Sequence, residues 1–259
     1  MAIGPRPSGS PEIVRTREYI AAQLRAAGLD AREQAFTAQT PNGAIGMVNL
    51  IATIPGRRAD RLVIGTHYDT KLFREFRFVG ASDAASSTSV VLELGRVLKD
   101  AQPEYTIELL FLDGEEAVVD WYTNNDNTYG SRHYVQAARE DGSLAGVKAF
   151  ILLDMVGDKD LRISRDSNST PWLVDIVWEA AARIGHRARF PDALTTIDDD
   201  HIPFLRAGIP SVDIIDLDYP AWHTANDTLE AVSAESLQVV GDVVIEALPG
   251  IQRQLSAGR

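Results

Sequence analysis

The sequence predicts an α/β fold: a three-layer α/β/α sandwich on a mostly parallel central sheet, with an antiparallel hairpin at one edge. Three observations predict it. Apolar stretches of strand length alternate with amphipathic stretches of helix length from residue 61 onward, the signature of parallel strands joined through helices. Two extended stretches near the start are separated by Thr40-Pro41-Asn42-Gly43, a strong turn signal that predicts a hairpin. The chain has 259 residues, 45% of them apolar, and no internal repeat, low-complexity tract or linker, which suits one large core. A single domain over residues 1–259 is therefore expected.

Each element follows from local signals. Ser10-Pro11 reads as a helix cap followed by proline at the first helical position, with Ile13, Ile20, Leu24 and Ala27 as one stripe and Gly28 as the stop. The hairpin arms are residues 31–39 and 45–54. A short strand over 61–66 delivers His67. After an irregular segment, 71–82, a helix is expected over 84–99, with Val90, Val91, Leu94, Val97 and Leu98 inward and Asp83 as its cap. A strand over 105–112 follows, then a polar loop over 121–128 and a helix beginning near Tyr129. The remaining elements are a strand over 147–153, a helix over 171–184, a strand over 210–215 and a final helix from Ser233. Trp172 and Trp178, at helical spacing, read as core.

Composition excludes several functions. A net charge of −12 argues against nucleic acid, whose phosphates require clustered Lys and Arg. No apolar run approaches the roughly 20 residues that span a bilayer. Without cysteine, any metal falls to His, Asp and Glu, which points to a hard or borderline ion such as zinc. The chain has only five histidines.

The most telling segment is Phe111-Leu112-Asp113-Gly114-Glu115-Glu116. Three carboxylates within four residues at a strand mouth repel one another, and burying them unpaired is costly. A divalent cation resolves the conflict: one glutamate ligates and the other, just outside the ligand shell, acts as a base. Ligands of open α/β sheets bind outside the carboxyl ends of strands. Here those ends deliver His67-Tyr68-Asp69, Asp83 in the following loop, Glu115-Glu116, Asp154 and, beyond the last strand, Trp222-His223.

These residues resemble the zinc aminopeptidase-like (M28) superfamily, and within it the animal-type glutaminyl cyclases. The matching segments are Gln39–Gly43, His67–Lys71, Phe78–Asp83, Asp113–Ala117 with Trp121, Tyr129–His133, Asp199–Leu205 and Trp222–Thr224, spanning nearly the whole chain. The resemblance implies one zinc held by Asp83, Glu116 and His223, Glu115 as proton shuttle, and Asp154 and Asp199 as acids on the substrate amine or leaving group. It places Trp121, Trp222 and Tyr219 around a small apolar slot. The implied reaction closes the N-terminal glutamine of a peptide or protein into pyroglutamate and releases ammonia. A monomer is expected, with neither nucleic acid nor membrane as partner, exported to the periplasm by a leader that this sequence does not include.

Three positions depart from the animal pattern: Asp198 stands for a glutamine, Asp213 for a histidine that braces the acid aligned with Asp199, and Tyr219 for a phenylalanine. The network around Asp199 must therefore be built differently. The same residues also supply a two-zinc aminopeptidase, with His67 and Asp154 holding a second zinc and Asp83 bridging. A non-catalytic binding module would lack a ligand or base, and none is missing. Arg132 and His133 are expected to brace a helix start, His201 to bond within its own loop, and His186 to lie at the surface.

Overall fold

The computed structural model describes residues 3–257. Its elements are α1 (Pro11–Ala26), β1 (Ala31–Thr40), β2 (Gly43–Ile54), β3 (Arg58–His67), α2 (Ser87–Leu98), β4 (Tyr105–Leu112), α3 (Tyr129–Glu140), β5 (Val147–Asp154), β6 (Arg165–Asp166), α4 (Pro171–Arg183), β7 (Leu194–Thr195), α5 (His201–Arg206), β8 (Ser211–Ile215) and α6 (Ala234–Ala257). Six strands form one sheet in the order β1-β2-β4-β3-β5-β8. The expected hairpin is present, and β2 continues antiparallel onto β4. The pairs β3–β4, β3–β5 and β5–β8 are parallel, so four strands end on the same rim.

Alternation along each strand builds two cores. Ile107, Leu109 and Phe111 of β4 and Ala149, Ile151 and Leu153 of β5 pack with α1, α2, α4 and α6. Leu110, Leu112, Phe150 and Leu152 face Tyr134 and Val135 of α3 and Phe204 of α5. Helices thus cover both faces of the sheet, which is why these strands read as unbroken apolar runs. Fully burying each such side chain contributes about 1.5–3 kcal/mol.

Local expectations hold with four corrections. Ser10 caps α1 by accepting from the Ile13 backbone N–H, as read. Helix α2, however, starts at Ser87, because residues 81–86 form a wide turn with non-helical backbone at Asp83 and Ala84. Asp83 is therefore not a cap, and its carboxylate is free to face the rim. Val97 is 46% exposed, on the solvent side of the helix rather than inward. Residues 201–206 form a short helix where a loop was expected, and a two-stranded ladder of β6 and β7 lies outside the main sheet. Two-residue strands carry too little periodicity to be read from sequence. Among the described residues, no helix is long and apolar enough to cross a membrane.

Candidate active site

The rim where β3, β4, β5 and β8 end gathers the acids and histidines singled out above. His67 closes β3, Asp154 closes β5, and Glu115-Glu116 follow β4 after a turn at Gly114. Gly114 has φ +77°, and a side chain there would run into the Met47 sulfur, so the doublet needs glycine before it. Gly80, at φ +61°, likewise precedes the turn that presents Asp83, whose own carbonyl a Cβ would strike. His223 itself has left-handed backbone, φ 53°. Strain of that kind costs about 1–3 kcal/mol and clusters at functional sites.

Two donor clusters form, and they share Asp83. In one, His223 Nε2 lies 3.3 Å from Asp83 Oδ2 and 3.2 Å from Glu116 Oε1. In the other, His67 Nε2 lies 3.2 Å from Asp83 Oδ1 and 3.1 Å from Asp154 Oδ1. Within each cluster the ligand atoms lie within 4.8 Å of one another. Tetrahedral bonds of about 2.0–2.2 Å would separate neighbouring donors by roughly 3.3–3.6 Å. Spacing and donor chemistry, imidazole with carboxylates, both fit a zinc-type ion. All the expected ligands converge, and so do the residues of the two-metal alternative.

Glu115 sits apart from the His223 cluster, with Oε2 3.8 Å from His67 Nδ1. Burial pushes its carboxyl well above the usual range; Asp199 and Glu116 add to this, and His67 opposes it. A buried glutamate raised in this way can hold and return a proton. Burial lowers His67, but Asp154 and Glu115 more than offset it and hold the ring well above its ordinary value. His223 is likewise pulled down by burial, yet its bonds to Asp83 and Glu116 raise it to about 9. Asp83 is the acid held low: burial raises it, but His223 and His67 prevail. Asp154 and Glu116 stay above the ordinary carboxylate range, burial outweighing their imidazole partners.

Bracing carboxylates surround the clusters. Asp69 accepts from the Glu115 and Glu116 backbone N–H groups at 3.2 and 3.3 Å, and its Oδ1 faces His67 Nδ1 at 3.4 Å. Asp227 accepts from Ser82 N at 2.7 Å and Asp83 N at 3.2 Å. The Lys71 backbone N–H donates to Glu116 Oε1 at 3.0 Å. The sequence placed Asp69 on the rim, just past the end of β3, but without a role, and Asp227 carried no signal at all. Asp113, the first of the three carboxylates at the mouth of β4, accepts from Ser8 Oγ and the Val48 N–H and belongs to neither cluster.

The aromatic residues divide. Trp222 is 43% exposed, with its ring stacked on His223 at 4.6 Å. Phe73 and Phe78 meet the same imidazole edge-on at 5.4 and 5.7 Å. Trp121 lines a cleft of about 160 Å³ with Asp198, Asp199 and Arg206. Tyr219 is buried, and its hydroxyl donates to Asp227 Oδ1 at 2.8 Å. A larger groove, about 610 Å³, lies at the far end of the sheet beside Gly28, Pro55 and Lys99, away from both clusters.

The acidic run separates as well. Asp198 is exposed, whereas Asp199 and Asp200 are buried. Burial pushes Asp199 well up, with Asp154 and Asp200 adding, and raises Asp200 to about 7. Asp213 is fully buried with neither oxygen hydrogen-bonded, and burial and Asp199 hold it well above the carboxylate range. His201 does not bond within its own segment. It is fully buried, with Nε2 3.1 Å from Asp166 and Nδ1 3.7 Å from Asp213. Arg132 does brace the start of α3, donating to the Asn127 and Thr128 carbonyls, and His133 stacks on Phe36.

The class is thus defined first: an α/β protein with histidine–carboxylate clusters on the carboxyl rim of a largely parallel sheet. Comparison with known proteins narrows it. The profile of peptidase family M28 matches residues 49–248. The chain is 33% identical to a bovine (Bos taurus) glutaminyl-peptide cyclotransferase-like protein, over 86% of this chain and 66% of that one. It therefore spans just under two thirds of that relative's length. The crystal structure of an Acidobacteriales bacterium glutaminyl cyclase superposes with TM-score 0.93 and 41% identity, over 98% of this chain and 90% of that chain. A Zn-dependent exopeptidase from Parabacteroides distasonis gives TM-score 0.84 and 27% identity, over 95% and 93%. The chain belongs to peptidase family M28, and within that family its likeness is to the glutaminyl cyclases.

Proposed function

We propose that this protein cyclises the N-terminal glutaminyl residue of peptides to pyroglutamate, releasing ammonia. One observation carries the reading: Asp83, Glu116 and His223 converge beneath a tryptophan stacked on the histidine, in a chain 41% identical to a glutaminyl cyclase. The resident ion in this reading is zinc, held by those three residues, and when bound it supplies Lewis acidity at an open coordination position. Membership of M28 and the likeness to a Zn-dependent exopeptidase support that choice.

The chain's own residues do the rest. Glu115 takes a proton from the substrate's α-ammonium, freeing the amine to attack the γ-carboxamide carbon. The new C–N bond closes a five-membered lactam. Glu115 returns its proton to the carboxamide nitrogen, the old C–N bond breaks, and ammonia departs, while the new ring nitrogen gives its surplus proton back to Glu115. Asp154 and Asp199 hold the amine and the departing nitrogen, while Trp222 and Trp121 wall the glutamine slot and exclude water. Tyr219 keeps Asp227 in place. Because the nucleophile is tethered, orientation supplies much of the acceleration.

A second reading rests on the His67–Asp83–Asp154 cluster, which could hold a second zinc and make the protein a dinuclear aminopeptidase. Metal content per chain, with turnover of a Gln-peptide against a Leu-anilide, separates the two. The direct test is ammonia release from a Gln-initiated dipeptide before and after chelation. Chelation should abolish it, and Glu115→Gln should lower kcat by about 10²–10⁴-fold with zinc retained. A folded Glu115→Gln protein with full turnover would refute the shuttle.

A further inference from the structure

Arg6 is only 5% exposed, lies far before the first rim residue, His67, in the sequence, and takes no part in the chemistry above. Among the described residues, its guanidinium pairs with no carboxylate. Besides a 3.4 Å bond from Nη1 to the nearby Gly4 O, it binds three backbone carbonyls: Nε donates to Tyr68 O at 2.8 Å, Nη1 to Val79 O at 2.8 Å, and Nη2 to Gly80 O at 3.0 Å. Its own backbone N–H donates to Thr70 Oγ1 at 2.9 Å. Those carbonyls stand at the two ends of one excursion of the chain, residues 69–80, that leaves β3 and returns just before Asp83. A planar fork with fixed donor directions can tie both ends at once, which a single ammonium cannot.

The segment so tied meets the Asp83–Glu116–His223 cluster at several points. Its Lys71 N–H holds Glu116, its Phe73 and Phe78 rings box His223, and its last residue leads into the turn that presents Asp83. We propose that Arg6 is a positioning residue for the metal site: it closes the base of the 69–80 segment and thereby fixes the spacing of Asp83, Glu116 and His223. The guanidinium also brings a permanent positive charge to a rim crowded with carboxylates; among the described residues it is the one buried Lys or Arg. Ser8, which donates to Asp113 Oδ1 at 2.6 Å, fastens the same N-terminal strap on its other side.

The inference rests on the metal-site reading but not on the substrate, so the test separates the two. Arg6→Ala and Arg6→Lys are made in the full chain and compared with the parent. Readouts are zinc affinity by chelator competition, hydrogen exchange of residues 69–80 against the sheet strands, and kcat and KM on a Gln-peptide. Both variants should exchange faster over 69–80 with the strands still protected. Both should bind zinc about 10–100-fold more weakly, and at saturating zinc kcat should fall by about 10–100-fold with little change in KM. Millimolar guanidinium should restore part of both losses in Arg6→Ala. Full recovery in Arg6→Lys would show that charge alone suffices and overturn the clamp. Exchange that rises equally across the sheet, with no rescue by guanidinium, would reduce Arg6 to a general stability element. If the parent itself cyclises nothing, the proposed reaction fails while zinc affinity and exchange still decide the role of Arg6.

Discussion

His67 and His223 reach Asp83 through different carboxylate oxygens, at 3.2 and 3.3 Å, yet only His223 meets solvent: its side chain is 26% exposed against 1% for His67. The donor sets of the two clusters are nearly alike, one imidazole and two carboxylates. Their surroundings are not. The His223 cluster opens beneath Trp222, so an ion there can offer a position to substrate, as catalytic zinc requires. The His67 ring is sealed in, and both its nitrogens face acids: Nε2 faces Asp83 and Asp154, Nδ1 faces Asp69 and Glu115. A ring protonated on both nitrogens can donate to Asp69 on one side and to Asp83 or Asp154 on the other. In the proposed reading, access rather than ligand identity distinguishes the two clusters.

The most damaging change to this contrast should be Glu116→Ala. Losing a ligand of the open cluster removes several kcal/mol of charge stabilisation, on the order of 10³-fold or more in kcat/KM. Metal analysis should find the variant empty; retention of one tight zinc would mean that the His67 cluster is the metal site. Asp227→Asn should come next. It leaves every ligand in place but weakens the hold on the Asp83 backbone, and zinc affinity should fall by about 10–100-fold. Titration against a chelator measures it, and an unchanged affinity would make Asp227 a bystander.

His67→Ala sharpens the comparison further. If the His67 cluster works by hydrogen bonding, the variant keeps the parent's one zinc per chain and loses roughly tenfold in turnover, about the worth of one charge-assisted bond. A stoichiometry that drops from two to one would hand the site to the aminopeptidase reading. Trp222→Ala should have the smallest effect. Losing one stacked ring at about 0.5–1.5 kcal/mol should raise KM by up to about tenfold with kcat nearly kept.

Much of this site was legible in the sequence because strand ends punctuate it. Apolar runs locate β3, β4 and β5, and the polar residues that stop them are His67, Glu115-Glu116 and Asp154. What residue type cannot convey is which acid ligates and which braces. Asp113 and Glu116 stand three residues apart at one strand mouth, yet Asp113 accepts a serine hydroxyl and the Val48 N–H while Glu116 faces His223. Asp83 sat where a helix cap belongs, and only the non-helical turn over 81–86 frees its carboxylate. His201 looked local because its partners, Asp166 and Asp213, lie on other elements. Arg6 carried no signal, since its guanidinium's acceptors are backbone carbonyls that any sequence could supply.

Asp227 ties the turn bearing Asp83 to the segment bearing His223, and both His223 and Asp227 follow the last strand, β8, in chain order. During biosynthesis every strand can therefore leave the ribosome and pair while the rim still lacks a ligand and a brace. A partly made chain can acquire its sheet but cannot grip an ion tightly. In the proposed reading, the chain gains a site able to act only after β8 and the segment that follows it have been made.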